Sequence, residues 1–96
     1  MRPSELLELH REEIREIVLS NGALNPRIFG SVLSGNDHAD SDLDVLIDPG
    51  PKTGLFAIAR IHTELERLLK IRVDVATPSA LPPRTRERIL IEAMAL

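Results

Sequence analysis

Apolar residues recur along this chain with two different periods, and the switches between them mark its elements. From Ser4 to Ser20, the residues Leu6, Leu7, Ile14, Ile17 and Val18 fall on one broad stripe at helical spacing, ended by Asn21-Gly22. A helix is expected there. Asn25-Pro26 then turns the chain into a short strand, about Arg27 to Phe29. From Ser41 to Ile47 the period drops to two, with Leu43, Val45 and Ile47 leaving one face and Asp42 and Asp44 the other. Pro49-Gly50-Pro51-Lys52-Thr53-Gly54 breaks that strand, and Leu55 to Lys70 returns to helical spacing through Leu55, Ile58, Ala59, His62, Leu65 and Leu69. A third strand, Ile71 to Ala76, carries Asp74 between apolar neighbours. Thr77-Pro78 closes it, and Pro82-Pro83 introduces a last helix from Arg84 to Leu96.

The order α-β-β-α-β-α predicts an α+β fold, a small mixed β-sheet with helices packed on one face. Asp42, Asp44 and Asp74 then meet on adjacent strands at the uncovered face. The 96 residues make one domain, 1–96, with no repeat and no low-complexity tract. A content of 43% hydrophobic and 28% charged residues is that of a folded, water-soluble protein. No segment approaches the ~20 apolar residues of a membrane span. The N-terminus leads into an amphipathic helix rather than an apolar signal core, so the cytoplasm is the expected location. Cysteine is absent, which excludes disulfides and thiolate metal sites. A net charge of −3 and only two aromatic residues, Phe29 and Phe56, exclude an extended nucleic-acid surface.

Two short motifs carry the chemistry. Gly30 ends the first strand, where a glycine lets the backbone turn sharply and approach a ligand closely. Ser31 adds a hydroxyl and, if residues 31 to 35 form a helical turn, is placed as its N-cap, with free N–H groups facing an anion such as a triphosphate. Asp42 and Asp44 side by side repel each other unless a cation lies between them. Mg²⁺ suits carboxylate oxygens and substrate phosphates, and with Asp74 as a third ligand the chain has enough carboxylates for two ions. Taken singly, Gly-Ser is an ordinary turn and Asp-x-Asp a solvated strand face. Their combination at this spacing is what points to nucleotidyl transfer. Other polar residues have plainer readings: His38 as an exposed loop residue, His10 and His62 at helix edges, Asp48 serving the turn before Pro49, and Arg84, Arg86 and Arg88 as a solvated helix face.

Phe29-Gly30-Ser31, ten intervening residues, Asp42-x-Asp44 and the later strand-borne Asp74 resemble the DNA polymerase beta-type nucleotidyltransferase superfamily, and the short length points to its minimal nucleotidyltransferase (MNT) branch. The resemblance covers nearly the whole chain. It implies that Gly30 and Ser31 hold nucleotide phosphates, that Asp42 and Asp44 bind two divalent ions (Mg²⁺, with Mn²⁺ as a substitute), and that Asp74 completes one metal site and helps activate the attacking hydroxyl. The chain departs from the pattern just after the turn, where members often carry basic residues and this sequence has Val32, Leu33 and Ser34. Lys52, Arg60 and Arg27 are the candidates to supply the missing charge.

The resemblance further implies ATP or another NTP as donor and a partner protein as acceptor, since the length leaves no room for a separate acceptor domain. In the minimal branch that partner is a HEPN-domain toxin, silenced when the antitoxin adenylylates a tyrosine. The chain contains no tyrosine of its own. Two other readings are open: a non-catalytic antitoxin that blocks a HEPN toxin sterically, and a small-molecule nucleotidyltransferase subunit.

Overall fold

The computed structural model describes all residues, Met1–Leu96. Helix α1 (Pro3–Ser20) starts at Pro3, whose ring fits the first helical position. Two acceptors cap its free N–H groups: Glu5 takes the Arg2 N–H at 2.8 Å and the distant Asp37 takes that of Ser4 at 2.9 Å. Strands β1 (Leu24–Phe29) and β2 (Leu43–Asp48) pair antiparallel, flanking the short helix α2 (Ser31–Ser34). Helix α3 (Leu55–Leu69) crosses over to β3 (Val73–Ala76), which runs parallel to β2. A 3₁₀ turn (Pro78–Ala80), helix α4 (Pro83–Glu92) and a two-residue strand β4 (Met94–Ala95) complete the chain. The four-stranded mixed sheet has the order β3-β2-β1-β4.

The α+β class, the mixed sheet and the helical layer are as the sequence predicts. α1 and α3 bury Leu7, Ile14, Val18, Ile61, Leu65 and Leu69 against Ile28, Leu43, Val45, Ile47 and Val73 of the sheet. Each fully buried leucine or isoleucine contributes about 1.5–3 kcal/mol relative to exposure. On the other face of the sheet Leu46 is also fully buried, and the 3₁₀ turn packs against β2 there.

Four local expectations change. The last helix stops at Glu92, because Ala93 takes an extended conformation, and Met94 and Ala95 instead pair with Ile28 and Arg27 along the outer edge of β1. An edge left bare would carry unpaired backbone donors and acceptors, and a three-residue apolar tail has too short a pattern to distinguish helix from strand. The first strand begins at Leu24 rather than Arg27; a register irregularity between those two residues accommodates Asn25, at φ 52°, and Pro26. The buried stripe of α3 is Ala57, Ile61, Leu65 and Leu69, leaving Leu55, Ala59 and His62 exposed. β2 starts at Leu43, whose N–H makes a 3.0 Å bond to the Arg72 carbonyl, so Asp42 lies in the loop just before the strand.

Candidate active site

The strand registers place Phe29 of β1 opposite Asp44 of β2, and Asp44 opposite Asp74 of β3. Directly opposed residues share a face, so the three side chains form a row across the sheet on the side away from α1 and α3. Their neighbours Ile28, Val45 and Val75 form the next row and face the helices. The alternation that buries the core thus sets the carboxylates.

The three aspartates feel each other. Burial, and then the nearby charges of Asp74 and Asp42, push the Asp44 carboxyl up from its ordinary 3.8 to about 6. None of the three takes part in the chain's ion pairs. Asp74 is exposed, Asp42 and Asp44 partly so. No three acidic or histidine side chains converge into a closed coordination set. Solvent-reachable carboxylates with no cationic partner are of the kind that Mg²⁺ takes one or two at a time, with water and substrate phosphates as its other ligands.

Gly30 is the hinge between this row and the turn that follows. Its φ of 81° and ψ of −150° belong to a region essentially confined to glycine, and a Cβ there would collide with the Asp44 carboxylate. Gly30 is also the N-cap of α2. Ser31 is therefore the first helical residue rather than the cap, and its hydroxyl donates no hydrogen bond within the protein. The Ser31, Val32 and Leu33 N–H groups precede Ser34, whose N–H is the first to be bonded within the turn, at the Gly30 carbonyl, and they have no helical partner. The five residues singled out from the sequence, Gly30, Ser31, Asp42, Asp44 and Asp74, are brought to one end of the sheet.

Residues 8–96 match the family model of the nucleotidyltransferase domain. The chain belongs to that family. A Methanocaldococcus jannaschii protein named "Putative protein adenylyltransferase" is 34% identical over 84 residues, covering 88% of this chain and 90% of the relative. The protein adenylyltransferase MntA of Thermococcus cleftensis is 32% identical over 89 residues, covering 93% and 87%. A solved structure of a "putative minimal nucleotidyltransferase" shares 40% identity, superposes with a TM-score of 0.86 and covers 97% of this chain and 95% of its own, which places the domain in the minimal branch. A crystal structure of a toxin–antitoxin with AMP-PNP has the same fold, at a TM-score of 0.73 and 17% identity, covering 88% and 69%.

Several residues that shape this nucleotidyltransferase site carry no motif. Asp37, in the loop between α2 and β2, is buried, and the Ser4 N–H holds its carboxyl below the usual range, so it ties the site loop to the start of α1. Glu66 of α3 accepts the Val73 N–H at 3.0 Å and so anchors the residue before Asp74. Asp48 accepts from Asn25 and Arg27 at the opposite end of β2, in keeping with a structural role. His38 is exposed in the site loop, where its ring accepts the Asp40 N–H at 3.3 Å. Of the candidate cations, Arg27 is paired with Asp48, Arg60 bonds Asn21, and Lys52 lies in the loop beyond the far end of β2. None of them reaches the turn. No helix is long and apolar enough to cross a membrane.

Proposed function

We propose that this domain is an antitoxin-type protein adenylyltransferase, which transfers AMP from ATP to a tyrosine hydroxyl of a cognate HEPN-domain toxin in the cytoplasm. The observation that carries it is the Asp44–Asp74 row, with Asp42 beside it, abutting a glycine turn whose N–H groups are free. The adenylyltransferase names of relatives that cover nearly the whole chain support the choice of AMP and of a protein acceptor.

Asp42 and Asp44 would hold two Mg²⁺ ions, or Mn²⁺, with Asp74 completing one site. When bound, the metals supply positive charge to the oxygens that attack and leave in an in-line displacement. The remaining tasks fall to the chain. Gly30 makes room for the Asp44 carboxylate against the turn, and the Ser31 hydroxyl and the turn's N–H groups donate to phosphate oxygens. Asp74, the most open of the three carboxylates, orients the acceptor hydroxyl and takes its proton. The acceptor oxygen bonds to the α-phosphorus as the bond to pyrophosphate breaks, and pyrophosphate departs with its electron pair.

Mass spectrometry of the toxin after incubation with this domain, ATP and Mg²⁺ tests the reading. Wild type should add AMP to the toxin. Asp74→Asn should still co-purify with the toxin but leave it unmodified, and in cells it should lose most protection at low expression. A second reading, steric blocking without transfer, draws on the exposed apolar residues Ile91 and Met94 beside α4 and β4. Full protection by Asp74→Asn with no AMP on the toxin would establish that alternative.

A further inference from the structure

We infer that Arg88 of α4 is the guanidinium that grips the triphosphate tail of the nucleotide. The inference rests on the nucleotidyltransferase reading above and deepens it by naming the side chain that distinguishes a triphosphate from a monophosphate. A cleft of about 620 Å³ opens between the end of β1 and α4. Phe29 and Gly30 border it on one side with Leu33 and Ser34 of α2; Arg88 and Ile89 face them from α4. Gly30 is common to this cleft and to the carboxylate row, since the space its missing side chain leaves is occupied by Asp44. A ligand whose reacting phosphate lies at Asp44 therefore has its continuation beside the Arg88 wall.

A triphosphate tail that passes from the carboxylate row into this cleft calls for a cationic partner. Three unpaired carboxylates stand on one side of Gly30, and Val32, Leu33 and Ser34 bring no positive charge on the other. Arg88 is the sole cationic residue lining the cleft, and its side chain makes neither an ion pair nor a hydrogen bond within the protein. Helical geometry explains why Arg88 is free while its neighbour is not. Arg84 and Arg88 are one turn apart and share a face, whereas Arg86 points the opposite way and donates to the Ser79 and Leu81 carbonyls at 3.2 and 2.9 Å. Arg86 therefore secures the start of α4, and Arg88 is left for a ligand. A guanidinium forks onto phosphate oxygens through two parallel N–H bonds, and the β- and γ-phosphates of a triphosphate extend beyond an α-phosphate at the carboxylate row, towards this wall. Glu92, one turn further along the same wall, opposes anions there.

Calorimetric titration of AMP-PNP and AMP in Mg²⁺ onto wild type, Arg88→Ala, Arg88→Lys and Glu92→Gln tests this assignment. Arg88 is exposed and supports no other residue, so the variants should keep the wild-type circular dichroism and melting temperature. Arg88→Ala should lose about 10- to 100-fold in AMP-PNP affinity, the worth of one or two charge-assisted hydrogen bonds, while AMP affinity changes less than about twofold. Arg88→Lys should recover part of the loss, and Glu92→Gln should tighten AMP-PNP but not AMP. Equal losses for both nucleotides would overturn the assignment, because the cleft would then hold the nucleoside. Unchanged affinities with loss of toxin binding would overturn it in favour of a docking residue. If wild type bound neither nucleotide, the nucleotidyltransferase reading itself would fall, a result distinct from a wild type that binds and an Arg88→Ala that binds equally well.

Discussion

At Gly30 backbone shape and chemistry coincide, since the same missing side chain permits a φ of 81° and makes room for the Asp44 carboxylate. Gly30→Ala should cost about 2–3 kcal/mol in denaturant unfolding, the range for forcing a side chain into such a region, and should abolish AMP transfer. A stable, active variant would show that the turn can be rebuilt another way. Asp44 offers a second test. Its raised pKa means that the folded protein binds a proton there more tightly than the unfolded chain does. Ionised Asp44 therefore costs stability, in full above about pH 6, and the cost is relieved as pH falls from about 6 towards 4, between the folded and the unfolded titrations of the carboxyl. Linkage sets an upper limit of about 3 kcal/mol, which partial exposure and solvent screening reduce to about 1 kcal/mol. In EDTA, Asp44→Asn should raise the melting temperature at pH 7.5 by about 4–8 °C and flatten the profile between about pH 4 and 6. A lower melting temperature would mean that the carboxylate is structural. The site acids were legible from sequence because motif spacing and strand period specify them. Arg88 was not, because an arginine among three on a helix has no local signal that tells the free one from the one turned inward.

Elements position these residues through contacts that leave little trace in the sequence. β3 has a neighbour on one side only, and Glu66 captures the Val73 N–H just before Asp74. Glu66→Ala should cost about 1 kcal/mol, speed exchange of the Val73 amide and slow transfer more than it weakens ATP binding. Glu66→Gln, whose amide oxygen can accept the same bond, should restore both. An unchanged Val73 exchange rate in Glu66→Ala would remove this anchor from the account. The long elements were readable because α1 and β2 carry a sustained period. The stripe of α3 was misplaced, since Leu55, Ile58, Ala59 and His62 fit a helical face as well as Ala57 and Ile61 do, and only the sheet beneath decides between them. β4 was missed for a related reason: its pairing depends on the bare edge of β1 rather than on its own two residues.

On the scale of the molecule, an acidic protein of net charge −3 concentrates three carboxylates at one end of its sheet. Mg²⁺ with ATP should therefore stabilise the fold together far more than ATP alone, by about 2.7 kcal/mol at a ligand concentration one hundred times Kd. A melting temperature unmoved by millimolar Mg²⁺ and ATP, with no heat in calorimetry, would remove the nucleotide site. The row of Phe29, Asp44 and Asp74 has one more consequence. These residues lie on three strands, and β2 pairs with β3 in parallel across the intervening α3. If β3 slipped by one position, Val75 would turn outward and Asp74 would enter the apolar layer. Such a slip is prohibitive for the fold long before it could yield a misaligned enzyme. Thermodynamic stability thus proofreads the site: a molecule that has folded at all has its acids in line, and selection for a sound core is at the same time selection for accurate chemistry.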